Sequence, residues 1–170
     1  MYKDEKIGII SAKIRLYTDK VDWNNKYKKP DYFVVRQRDL NPPPGKSEYH
    51  LDDYLTDMST LALTGVYNLV KAYDLDKNPE AAHYDIAITQ TFKDIIEKEN
   101  INHDLVINVG SYTVDAAGTL LGASYKDYGP QNFNTTSFTP NRAVFVGTDP
   151  DLVNPVNKES AKLILTYGKK

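Results

Sequence analysis

Asp74, Asp76 and Asn78 alternate along the chain in the way a calcium loop begins. Oxygen ligands at every second position can converge on one hard cation. The next position of such a loop needs glycine for a sharp turn. Here it is Pro79, and no glutamate follows at the distance of the bidentate ligand. A polar turn is the plain reading of these residues, and a Ca²⁺ site the sharper one. His50, Asp52 and Asp53, with Asp57 close by, form a second polar cluster that could serve a divalent metal. A solvated loop or strand edge accounts for it as well. The three histidines, His50, His83 and His103, show no i, i+4 pairing of the kind zinc uses.

Covalent and phosphate chemistry leave fainter traces. Gly45-Lys46-Ser47 has the ending of a phosphate-binding loop, but position 40, where its first glycine belongs, is Leu40. Three prolines just before it remove backbone N–H groups that would cradle a phosphate. The nucleophile elbow G-x-S-x-G is absent. A pair of catalytic carboxylates could come from remote segments, which is how a carbohydrate-active hydrolase would be built, and no local signature marks one. Tyrosine is the compositional outlier, with 13 against one Trp and 5 Phe. Tyr17, Trp23, Tyr27, Tyr49, Tyr54 and Tyr67 could form a platform that stacks on sugar rings. Trp23, Tyr27, Tyr49 and Tyr54 are the binding candidates. Half-buried strand positions and contact surfaces equally favour tyrosine.

These residues must be positioned by strands. The two ends of the chain echo each other: Ser-Ala-Lys-Ile-Arg-Leu-Tyr-Thr over 11–18 and Ser-Ala-Lys-Leu-Ile-Leu-Thr-Tyr over 160–167. Apolar residues fall at every second place, Ala12, Ile14 and Leu16, then Ala161, Leu163 and Leu165. That period puts each trio on one face of a strand. Further strands are expected at 32–38, 84–88, 105–109 and 143–147, and a strand is one reading of 61–73. Phe92, Ile95 and Ile96 sit at i, i+3 and i+4, which predicts a short helix near 91–99, with Thr89 or Thr91 supplying the N-cap oxygen. Asn41-Pro-Pro-Pro-Gly45 is the strongest break in the chain. The segments 19–31, 74–79, 116–141 and 149–157 read as loops.

Composition sets the outer bounds. A chain of 170 residues, 41% apolar and 26% charged, reads as one domain over 1–170 with a sizeable core. A net charge of −2 gives no basis for binding nucleic acid, which calls for an excess of Lys and Arg on one face. Lys26, Lys28 and Lys29 come nearest, and read as a solvated loop. With no cysteine there is no disulfide or thiolate metal site. No apolar run approaches the ~18 residues of a membrane span. Met1-Tyr-Lys-Asp-Glu-Lys is not a secretory leader, and Met1 reads as an added start on a fragment of a longer exported protein.

Three groups of segments carry a family resemblance. The opening is Ile9-Ile-Ser-Ala-Lys-Ile-Arg-Leu-Tyr17, and the middle is Tyr84-Asp-Ile-Ala-Ile-Thr89 entering a helix before Leu105-Val-Ile107. The close is Asn141-Arg-Ala-Val-Phe-Val-Gly147 followed by Ala161-Lys-Leu-Ile-Leu-Thr-Tyr167. In order and pattern they resemble the C-terminal part of the Bacteroidetes DUF4270 lipoprotein-like family. The chain is more distantly similar to DNRLRE-type jelly-roll modules of secreted and surface proteins. The resemblance implies an exported protein of the cell envelope, lipid-anchored at full length, and carries over no functional residue. The lipobox cysteine of a full-length lipoprotein is absent.

The sequence therefore predicts an all-β protein, an antiparallel β-sandwich of jelly-roll type with one short helix. Its expected core is Ile14, Leu16, Val34, Ile86, Ile88, Phe92, Ile95, Leu105, Ile107, Val144, Leu163 and Leu165. The expected function is a non-enzymatic surface module that binds a glycan or a cell-envelope protein, or serves a structural role. The alternatives are the hydrolase with remote carboxylates and a Ca²⁺-stabilised adhesion domain. No other cofactor is expected.

Overall fold

A computed structural model describes residues 7–20, 26–30, 33–38, 44, 51–57, 69–75, 77, 82–109, 113–114, 120–121, 141–148 and 158–169. The protein is mostly strand in antiparallel sheets, with one short helix among its named elements. The chain forms two compact units. The first takes Met1–Asp31, Val70–Thr89 and Pro140–Lys170, and the second takes Tyr32–Leu69 and Gln90–Thr139.

The first unit is built on a four-stranded sheet. Strands β1 (Ile7–Tyr17), β4 (Val70–Tyr73), β5 (His83–Ala87) and β9 (Lys162–Lys169) lie in the order β4-β5-β1-β9. The two echoing segments are thus hydrogen-bonded neighbours: Ile14 faces Leu163 and Ala12 faces Leu165. On the other side of β1, Ile14 faces Ile86 and Leu16 faces Tyr84. A bulge at Ile10 shifts the β1–β9 register between Ile9 and Ser11. The space above Gly168 is used there, because a Cβ added to it would meet the Ile10 side chain at 3.4 Å.

The apolar face of this sheet is densest at its centre. Ala12, Ala82, Tyr84 and Ile86 are fully buried, and Val70 and Ile88 nearly so. The Tyr84 hydroxyl donates to the Pro30 carbonyl at 2.7 Å, and its ring meets Phe145 edge-on at 5.6 Å. Burying an aromatic body while satisfying its hydroxyl is how a tyrosine enters a core without penalty. The segment 141–148 is not the strand that its sequence predicts. Its backbone bonds are shared among three neighbours: Val146 N donates to Tyr17 O and Val144 O accepts Asp19 N at the end of β1, Arg142 N donates to Lys28 O, and Gly147 O accepts Ala161 N. A ladder needs one continuous partner, so only a single bridge forms, Thr18 with Phe145. Val144 is half-buried there.

The second unit holds strands β2 (Phe33–Arg38), β3 (Leu51–Tyr54) and β6 (Leu105–Val109), in the order β3-β2-β6, and the two-residue strands β7 (Thr113–Val114) and β8 (Leu120–Leu121). Phe33, Val34 and Val35 are buried in succession, so both faces of β2 are covered at its start. The helix, α1 (Thr89–Lys98), begins in the first unit at Thr89 and lies otherwise in the second.

The helix cap differs from the sequence expectation. Asp57 provides it, accepting Gln90 N and Thr91 N at 2.7 Å each, one on either carboxylate oxygen. Two orphan donors of the first turn are thereby satisfied by a residue more than 30 positions away. Thr89 Oγ1 instead bonds Ala12, accepting its N–H at 3.1 Å and reaching its carbonyl at 3.3 Å. At the far end Glu99 takes a left-handed φ of 58° and Asn100 N–H reaches back to the Asp94 carbonyl.

Candidate functional site

The polar face of the four-stranded sheet gathers charge and rings. Register places Arg15 opposite Asp85, and Asp85 opposite Lys71. The Asp85 carboxylate is buried and receives Arg15 Nε at 2.6 Å, Arg15 Nη2 at 2.8 Å and Lys13 Nζ at 2.5 Å. Burial pushes its carboxyl up. The Arg15 and Lys13 hydrogen bonds outweigh that and hold it at about 2. The Arg15 guanidinium is raised in turn, first by its hydrogen bond to Asp85. A two-pronged guanidinium–carboxylate pair with a third donor locks β1 to β5.

One step along the same face, Tyr73, His83 and Tyr17 form a row across three strands. Tyr73 and His83 stack at 4.6 Å with planes 8° apart, and Tyr17 tilts against His83 at 5.4 Å. Lys71 lies over Tyr73 and Lys162 over Tyr17, at 5.1 and 5.3 Å from the ring centroids. These ring faces are turned to one another and to ammonium groups. The row therefore cross-links strands, and its faces are already in contact with protein groups.

One run of exposed apolar side chains is at the sheet's edge. Strand β9 is bonded to β1 on one side, and among the described residues no strand pairs with its other side. Leu163, Leu165 and Tyr167, alternating along it, are 48%, 40% and 65% exposed. Leu163 and Leu165 are thus not the core residues that the period predicts. They continue the apolar face of Ala12 and Ile14, and the cover ends before it reaches them. Lys162, whose Nζ donates to the Lys158 carbonyl, and Lys169 stand at the two ends of the strand.

The sequence candidates fall in several places. Tyr27 is exposed, with the Arg142 guanidinium 4.7 Å from its ring centroid. Tyr54 lies in β3, in register with Arg36. Trp23, Tyr49 and Tyr67 lie outside the described residues. Asp74 is exposed at a bend with φ 56°, while Asp76 and Asn78 lie outside the described residues. Asp52 and Asp53 fall in β3, His50 lies outside the described residues, and Asp57 is buried as the helix cap. Among the described residues no three His, Cys, Asp or Glu side chains are grouped as a metal would require. Lys29, expected in a solvated loop, is buried, which lowers its pKa. Sequence reasoning missed Lys13, Arg15, Asp85, Tyr73 and His83. The polar alternation of β1 and β5 was their only signal, and it needs the pairing to be read.

Comparison with protein-family models, with curated proteins and with solved structures finds no match. Among the described residues no helix is long and apolar enough to cross a membrane.

Proposed function

We propose that this chain is a non-enzymatic structural module of a DUF4270-like cell-envelope protein, a jelly-roll-type β-sandwich that joins a second copy of itself along β9. The order of apolar segments supports the family and its envelope location. Antiparallel pairing throughout, with the sequence-distant neighbours β1–β9 and β2–β6, supports the jelly-roll type. The exposed alternation of Leu163, Leu165 and Tyr167 on an edge strand carries the functional reading.

An edge strand presents unpaired backbone groups and invites another strand. Its sequence is self-complementary. When two copies of β9 run antiparallel about a two-fold axis at Leu165, Leu165 meets Leu165 and Leu163 meets Tyr167. Lys162 then faces Gly168, so no two lysines stand directly opposite each other. Residues of one parity share a face, so this register keeps all six apolar side chains together. The two four-stranded sheets become one. Such an isologous contact closes on itself and leaves neither β9 edge unpaired.

Light scattering of the purified chain, from dilute to about 100 µM, tests this. The expected result is a concentration-dependent dimer. Leu165→Lys, which sets two ammonium groups against each other at the axis, should give a folded monomer. A wild-type chain that stays monomeric, or a Leu165→Lys dimer of unchanged strength, overturns the reading.

A further inference from the structure

Ile10 stands apart from the rest of β1. The bulge takes it out of the β1–β9 ladder, and its side chain is 63% exposed. Bulges re-aim a side chain, and this one turns Ile10 toward β9. Its Cδ1 lies 3.4 Å from where a Gly168 Cβ would stand, so it fills room that the glycine leaves. An exposed isoleucine is thus laid on the edge strand, on the face that Lys162, Ile164 and Thr166 share with position 168. Leu163, Leu165 and Tyr167 belong to the opposite face.

Antiparallel pairing of two β9 strands about Leu165 sets Gly168 of each copy against the partner's Lys162. Directly opposed residues point to the same face, with Cβ positions about 5 Å apart. Ile10, standing over Gly168, then reaches the methylenes of the partner's Lys162. A lysine readily lays its stem along apolar surface while its ammonium stays in water. We infer that Ile10 is a contact residue between two copies, packed on the stem of the partner's Lys162 at each of two symmetric sites. The inference rests on the pairing proposed for β9, and it adds a contact on the second face of that interface.

Inside one copy Ile10 and Lys162 are held apart. Gly168, where Ile10 sits, is six residues along β9 from Lys162, about 20 Å at the rise of a strand. Direct energetic coupling between positions 10 and 162 therefore passes between copies, and a double-mutant cycle isolates it.

Sedimentation equilibrium of the full chain at about 0.15 M salt reads the dimer dissociation constant and screens distant charges. Ile10→Lys sets an ammonium group beside the partner's Lys162 at both sites and should weaken the dimer about ten-fold. Lys162→Glu added to Ile10→Lys turns each like-charge pair into an opposite one and should recover that loss. Lys77→Glu added to Ile10→Lys makes the same change of net charge at an exposed turn and should recover none of it. Ile10→Ser, which removes the apolar contact without adding charge, should weaken the dimer at least about three-fold. A wild type that stays monomeric overturns the β9 pairing and this contact with it. A dimer that Ile10→Lys and Ile10→Ser leave unchanged overturns the contact alone, and so does one that Lys77→Glu restores as well as Lys162→Glu does.

Discussion

Replacing Asp85 with asparagine removes one charge and leaves the side chain's size unchanged. In the folded protein its carboxyl titrates at about 2, against an ordinary 3.8. At about 1.4 kcal/mol per pH unit, that difference contributes about 2 kcal/mol of stability. The sign follows from the depressed value. The contribution is complete above the unfolded pKa and is lost as pH falls from there through the folded value near 2. The substituted amide would also turn an N–H₂ group toward donors, leaving Arg15 and Lys13 without their anion. Those side chains are 23% and 31% exposed and can turn to water. That places the cost of Asp85→Asn at the low end for a broken buried pair, about 3 kcal/mol. For a chain of this length the midpoint of thermal unfolding should fall by about 6–12 °C. Urea unfolding of both proteins at neutral pH and in steps down to about pH 2 reads the effect directly. The gap between them should be widest near neutral pH and narrow by about 2 kcal/mol in acid. A variant within about 0.5 kcal/mol of the wild type at neutral pH refutes the reasoning, as does a gap that does not change with pH.

Three other substitutions probe single devices of the fold. Asp57→Ala removes both cap bonds of α1 and should cost about 1–2 kcal/mol, with the Gln90 and Thr91 amides exchanging faster with solvent. Tyr84→Phe leaves the buried Pro30 carbonyl without its donor, and denaturant unfolding should show a loss of about 1–2 kcal/mol. Glu99→Gly relieves the left-handed backbone after the helix and should raise stability by about 0.5–1 kcal/mol in the same assay.

Local pattern reveals strands and the helix because each is a short-range choice. The period of two in 11–18 and 160–167 marks β1 and β9, and the i, i+3, i+4 pattern marks α1 within about two residues. The partners of those elements are set by residues far away in the chain, and no window of sequence contains them. Asp57 capping α1 and Asp85 between Arg15 and Lys13 are both of this kind. So is the buried Asp94, which takes a helix position flanked by the half-buried Phe92 and Ile95 of the expected core. Ile14, Leu16, Leu105 and Ile107 are half-buried for a related reason. Alternation tells which face of a strand is apolar, but not how much of that face is covered.

Strand β9 shows the consequence most plainly. By period alone Leu163 and Leu165 are equivalent to Ile14 and Ala12, the residues they face in β1. What separates them is strand order: β1 has a neighbour on each side, and β9 has one among the described residues. An apolar face that reaches a sheet edge either meets a matching surface or becomes an aggregation site, and natural edges guard against the second with charge. Lys162 and Lys169 stand at the two ends of β9, while the residues between them are uncharged. A slip of one residue toward the C-terminus would set Lys162 against Lys169, whereas the centred pairing at Leu165 sets no lysine against another. Under the proposed pairing the same eight residues disfavour that slipped contact and admit the two-fold one, and Leu165→Lys is expected to abolish the dimer while leaving the monomer folded.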